Sequence, residues 1–169
     1  MIIYSVFISC IIILLFSTFI NDFAFGFFHQ QDKQNNNNIE LDEDIKIIHE
    51  ISDEVNLNSF KFQTILKDFE SNFINNDQMI NETEKYIVNL EDIVNKSKSY
   101  KLDKKYQQIL SKYIISLEYE VESYKHFKIY LSTGNITENE ISIQLLSSAL
   151  KNELEAISLF KKVVEGTIN

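Results

Sequence analysis

Between Leu102 and Gly166 two long apolar stripes flank one short turn, Ser132-Thr133-Gly134-Asn135-Ile136-Thr137, and few folds accommodate that arrangement. In the first stripe Leu102, Tyr106, Ile109, Tyr113, Leu117, Val121, Tyr124, Phe127 and Leu131 recur at steps of three or four, the repeat of one helix face, with Lys104, Lys112, Glu120 and Lys128 assigned to the other faces. Gly134 stands where a left-handed C-terminal cap costs least, and Thr137 precedes Glu140 by the three residues of a capping box. The second stripe is Ile143, Leu146, Leu150, Leu154, Ile157, Phe160 and Val164. Lys161 and Lys162 close it at the negative end of the helix dipole, so the helix is expected to stop near Glu165. A turn this short makes the two helices antiparallel neighbours.

Upstream, Leu41, Ile45, Ile48, Ser52, Val55, Ser59, Phe62, Leu66, Phe69 and Phe73 alternate in steps of four and three, a heptad-like seam interrupted twice by serine. The acidic opening Glu40 to Asp44 suits a helix start, which predicts a helix from Ile39 to Ile74 with a bend around Asn56 to Asn58. Asn75, Asn76 and Asp77 break it. A shorter helix is then expected from Asn81 to Lys96, with Asn81 and Glu84 at capping-box spacing. The expected fold is all-α, an antiparallel four-helix bundle or helical-hairpin array over residues 39–166. Because the first helix reads long and the second short, Phe62, Leu66, Phe69 and Phe73 are expected to stay partly uncovered and to pair with another chain, giving a homo-oligomer.

Composition supports the helical reading: there is no proline and there are three glycines, too few for a fold built on tight turns. Every basic residue is lysine, and Ile, Asn, Lys, Phe and Tyr abound, as in proteins of AT-rich genomes. A formal charge of −9 with no lysine-rich run argues against a nucleic-acid surface. Cys10 is the single cysteine and lies in the apolar leader, so the helical part offers no thiol chemistry, disulfide or cysteine metal site.

That leader, Ile2 to Ile20, is nearly unbroken in apolar residues. Ala24 and Gly26 stand at the positions signal peptidase favours for a cut after Gly26. Residues 1–26 therefore read as a signal peptide or a transmembrane anchor, although no lysine precedes the run, and residues 27–38 as an Asn/Gln-rich flexible linker. Acidic residues after the run leave nothing to hold that side in the cytoplasm, so the helical domain is expected to be extracytoplasmic, secreted or anchored to the membrane through residues 2–20.

No catalytic constellation emerges. Glu118, Glu122 and His126, each four residues apart, are candidate metal ligands of the kind ferritin-like bundles use. The spacing is Glu-x-x-x-His, and only Glu153 and Glu155 lie nearby, so a solvated flank balanced by Lys125 and Lys128 is the favoured reading. His49 with Asp53, and His29, lack a third ligand within helical reach. Tyr106, Tyr113, Tyr119, Tyr124 and Tyr130 crowd one helix, which suits a core with hydroxyls at the rim better than a small-ligand or lipid groove. Asn81, Asn95 and Asn135 each open an N-glycosylation triplet. The expectation is a non-enzymatic exported or membrane-tethered domain, without cofactor, acting through protein contact. The rivals are a metal-binding bundle and a ligand-sensing or lipid-binding one.

Overall fold

The computed structural model describes residues 43–166; among these described residues 89% are helical and no strand occurs. Four helices follow in order: α1 Glu43–Glu70, α2 Asn76–Ser99, α3 Lys104–Thr133 and α4 Ile136–Val164, consistent with a four-helix bundle. The leader, the linker and residues 39–42, on which the export and tether expectations rest, lie outside the described residues. Among the described residues no helix is long and apolar enough to cross a membrane.

The ends of the helices correct several boundaries. α1 runs uninterrupted through Asn56 to Asn58 and stops at Glu70 rather than Ile74. Asn72 takes φ 60° there, Phe73 N–H donates to the Asp68 carbonyl at 2.9 Å, and Asn72 N–H donates to Phe69 at 3.0 Å. This is a double cap on the last carbonyls, with asparagine in the left-handed position where glycine is commoner. α2 begins five residues before Asn81, and its capping box is Asn75 with Gln78: each side chain accepts from the other's backbone N–H at 2.9 Å. The asparagine run read as a breaker is therefore also the start signal, and α2, at 24 residues, is close in length to the 28 of α1. At the α3–α4 turn Gly134 takes φ 70° and caps Tyr130, as expected. The N-cap of α4, however, is Asn135, whose side chain accepts from Thr137 N–H at 3.1 Å, so the helix starts two residues before the box expected at Thr137 and Glu140 and is capped by a single bond instead.

Packing follows from which side chains each helix can hide. Phe62 lies at the centre, its ring 4.9 Å from Tyr86, 4.3 Å from Tyr124 and 6.4 Å from Phe127, a cluster drawn from α1, α2 and α3. A second cluster joins Ile48 of α1, Tyr106, Ile109 and Tyr113 of α3, and Ala156 and Phe160 of α4. The seam expected to remain open on α1 is thus mostly filled: Phe62 and Leu66 are buried and Phe69 is partly covered, while Phe73, past the end of α1, stands 79% exposed.

The contact between α3 and α4 is made by small residues. Ser142, Ala149 and Ala156 recur every seven positions on α4, and Ser116 and Ser123 do so on α3. Ser116 Oγ donates to the Ala149 carbonyl at 2.7 Å, and Ser123 Oγ to the Ser142 carbonyl at 2.8 Å. Hydroxyl-to-carbonyl bonds across two helices require close backbones, and small side chains permit that approach. Among the described residues the Cα atoms of α4 come within 8 Å of α3 but not of α1 or α2.

Candidate functional site

The expected metal candidates do not converge. Glu118 pairs with Lys98 of α2 at 2.6 Å, Glu122 with Lys125 at 2.9 Å, and His126 Nδ1 with Glu138 of α4 at 2.6 Å. Glu118, Glu122 and Lys125 line a shallow groove of about 390 Å³ between α2 and α3, where Lys125 also reaches Glu91 at 3.0 Å. Lys98 and Lys125 engage all three carboxylates of that groove, Glu91, Glu118 and Glu122, as ion pairs. Among the described residues no group of three or more His, Cys, Asp or Glu side chains is placed to hold a metal ion. His49 stands edge-on to Phe160, ring centroids 6.0 Å apart.

The most unusual chemistry lies inside the bundle, at a residue first assigned to the outer faces. Glu120 is only 8% exposed and Glu153, across the α3–α4 contact, only 7%. Glu120 follows Tyr113 by seven residues and precedes Phe127 by seven. Glu153 holds the same relation to Leu146 and Phe160, so both acids occupy inward heptad positions. The two serines that interrupt the α1 seam face this layer. Ser59 hydrogen-bonds Glu120, and Ser52 hydrogen-bonds Tyr113. Both partners advance by seven, which sets α1 and α3 parallel. At their shared end Asp103 N–H donates to Asp44 Oδ2 at 2.7 Å. Tyr124 hydroxyl completes the layer by donating to Glu120 Oε1 at 2.7 Å.

Burial dominates the electrostatics. It raises the Glu120 carboxyl above its ordinary value, against the hydrogen bonds from Tyr124 and Ser59 that favour the anion. Glu153 is pushed up to about 8, by burial first and by the Glu120 charge second. Burial thus favours a proton on this pair, since each carboxyl is raised and Glu153 is raised further by the charge of Glu120. Burial also raises the Tyr113 and Tyr124 hydroxyls, each with a further push from the neighbouring glutamate, and both stay neutral. Four of the five clustered tyrosines, Tyr106, Tyr113, Tyr124 and Tyr130, are buried, while Tyr119 is exposed; Tyr124 closes on the Phe62 ring.

The glycosylation triplets differ in presentation. Asn81 and Asn95 are exposed on α2, but their hydroxyl residues Thr83 and Ser97 are fully buried. Asn135 lies at the exposed α3–α4 turn, with its side chain engaged as the cap. No family model, curated protein or solved structure matches the chain.

Proposed function

We propose that the helical bundle is a non-catalytic interaction module, carried outside the cytoplasm by the apolar segment 2–20 and acting through protein contact. The observation that supports this reading is the outer flank of α4, where Ile136 is 48% and Leu154 42% exposed and Ile143, Leu150 and Ile157 are half-buried. Isolated exposed apolar side chains need no explanation, but five in helical register along one element form a face. The α2–α3 side contrasts with it. There Lys98, Lys125 and Lys128 pair with Glu118, Glu91 and Glu84, leaving a surface on which Val88, 48% exposed, is a lone apolar side chain between Glu84 and Glu91.

The test is site-specific photo-cross-linking in cells making the full chain, with the cross-linker at Leu154 or, as control, at Glu122. A protein adduct formed only from position 154, on a chain recovered in the exported fraction, is the expected result. Retention in the cytosol, or no adduct at position 154, would overturn the proposal.

A further inference from the structure

The small residues that press α4 against α3 also fix its rotation. Ser142, Ala149 and Ala156 face α3, and the next residue in each case, Ile143, Leu150 and Ile157, is turned about 100° away. Ile136 belongs to the same row, and Leu154 lies beside it, four residues past Leu150. The expected stripe of α4 is thus divided in two. Leu146 and Phe160 are buried with the small residues, whereas Ile136, Ile143, Leu150, Leu154 and Ile157 form a second seam that the bundle covers incompletely.

The gap beside this seam is visible from α1. His49 touches Phe160 of α4, and Phe60 comes eleven residues later, three turns up and on the same side of α1. Counted along antiparallel helices from the His49–Phe160 contact, Phe60 stands level with Ala149 and Leu150. It is nevertheless 60% exposed. The edge between α1 and α4 is closed at Ile48, Ala156 and Phe160 and open at Phe60.

We infer that a second copy of this chain covers the open edge, its α4 antiparallel to the first about a twofold axis near Leu150 and Leu154. The inference rests on the protein-contact reading and names the partner. The charge pattern selects this occupant and orientation. Exposed Glu140 lies near one end of the seam and exposed Lys161 near the other, the latter held only loosely by Glu165 at 3.8 Å. Antiparallel pairing brings each Lys161 within a turn of Glu140 of the second copy, twice over, with Glu165 alongside, and places Leu150 against Leu154 of the second copy and Leu154 against its Leu150. Parallel pairing would oppose Glu140 to Glu140 and Lys161 to Lys161, which is unfavourable. The Glu140 and Lys161 pair, opposite in sign only when the second helix is reversed, suits an isologous twofold contact.

Sedimentation velocity of the full chain in mild detergent, across a hundredfold range of concentration, reads the association. The expected species is a dimer. Leu154→Lys raises its dissociation constant at least tenfold, and Glu140→Lys or Lys161→Glu alone at least fivefold. The double charge swap restores it to within about twofold of the starting chain. All three positions are exposed, and unchanged far-ultraviolet circular dichroism shows that each variant is folded. A concentration-independent monomer, a dimer indifferent to Leu154→Lys, or a swap that fails to restore association overturns the inference. A monomer that still cross-links to a different polypeptide through position 154 removes the second copy but leaves the protein-contact reading intact.

Discussion

Inside the bundle the Tyr124 hydroxyl donates to Glu120 Oε1 over 2.7 Å, one turn apart on the same helix. The bond keeps a carboxylate in a layer that apolar rings would otherwise fill, and it sets the terms for the stability of the molecule.

Replacing Tyr124 with Phe preserves the ring that packs on Phe62 and removes the donor, leaving Glu120 with the hydrogen bond from Ser59. The expected cost is about 1 to 3 kcal/mol, the range for a buried acceptor left short of a partner. Urea denaturation at pH 7 measures it. No loss of stability would mean that the bond contributes nothing.

Glu153 makes stability depend on pH with an unusual sign. Its folded value of about 8 lies above the ordinary 4.5, so between those two values the folded state binds more proton than the unfolded one. Stability therefore falls as pH rises from about 4.5 through about 8. Glu153→Gln should flatten that slope, leaving stability near pH 5 unchanged and raising it at pH 8 by roughly 2 to 4 kcal/mol. Denaturation midpoints for both proteins at the two pH values provide the check, and parallel curves would refute it.

These acids show how far the chain could be read in advance. Seven-residue spacing puts Glu120 on the row of Tyr113 and Phe127, and Glu153 on the row of Leu146 and Phe160, so the positions were legible. A prior against buried charge hid them. The same prior made Ser52 and Ser59 look like defects of the seam, when they are the partners of Tyr113 and Glu120. On α4 the stripe was drawn through the largest apolar residues, yet close approach to α3 selects small ones, and the contact moved by one residue to Ala149 and Ala156. The Gly134 stop and the Glu165 end were legible because each is followed by or made of a glycine at positive φ, whereas the helix starts, where several Asn and Thr residues offer a cap, were not.

Ala149→Leu tests the close approach of α3 and α4. Ala149 is fully buried, and its carbonyl accepts from Ser116, so a larger side chain must push the helices apart and strain that bond. A loss of about 1 to 3 kcal/mol is expected, as for overpacked cores. Leu154→Ala on the exposed row should change the stability of a monomeric sample by less than about 0.5 kcal/mol. Thermal melts at low concentration compare the two.

Gly134→Ala isolates backbone strain. A Cβ added there meets nothing within 4 Å, so only the φ of 70° resists it. The cost should be about 1 to 2 kcal/mol, the penalty of a left-handed alanine. Gly134→Asn should lose less, since Asn72 tolerates φ 60° at the end of α1. Equal losses for the two variants would indicate a different origin.

The paired serine hydroxyls, seven residues apart on α3 and bonded to carbonyls seven apart on α4, act as two teeth of a rack. Sliding α4 by one turn, roughly 5.4 Å, would unseat both together. Tilting it about the line joining them leaves both engaged. The rack therefore resists piston motion, while a swing of α4 about it is resisted instead by the buried cluster of Ile48, Ala156 and Phe160.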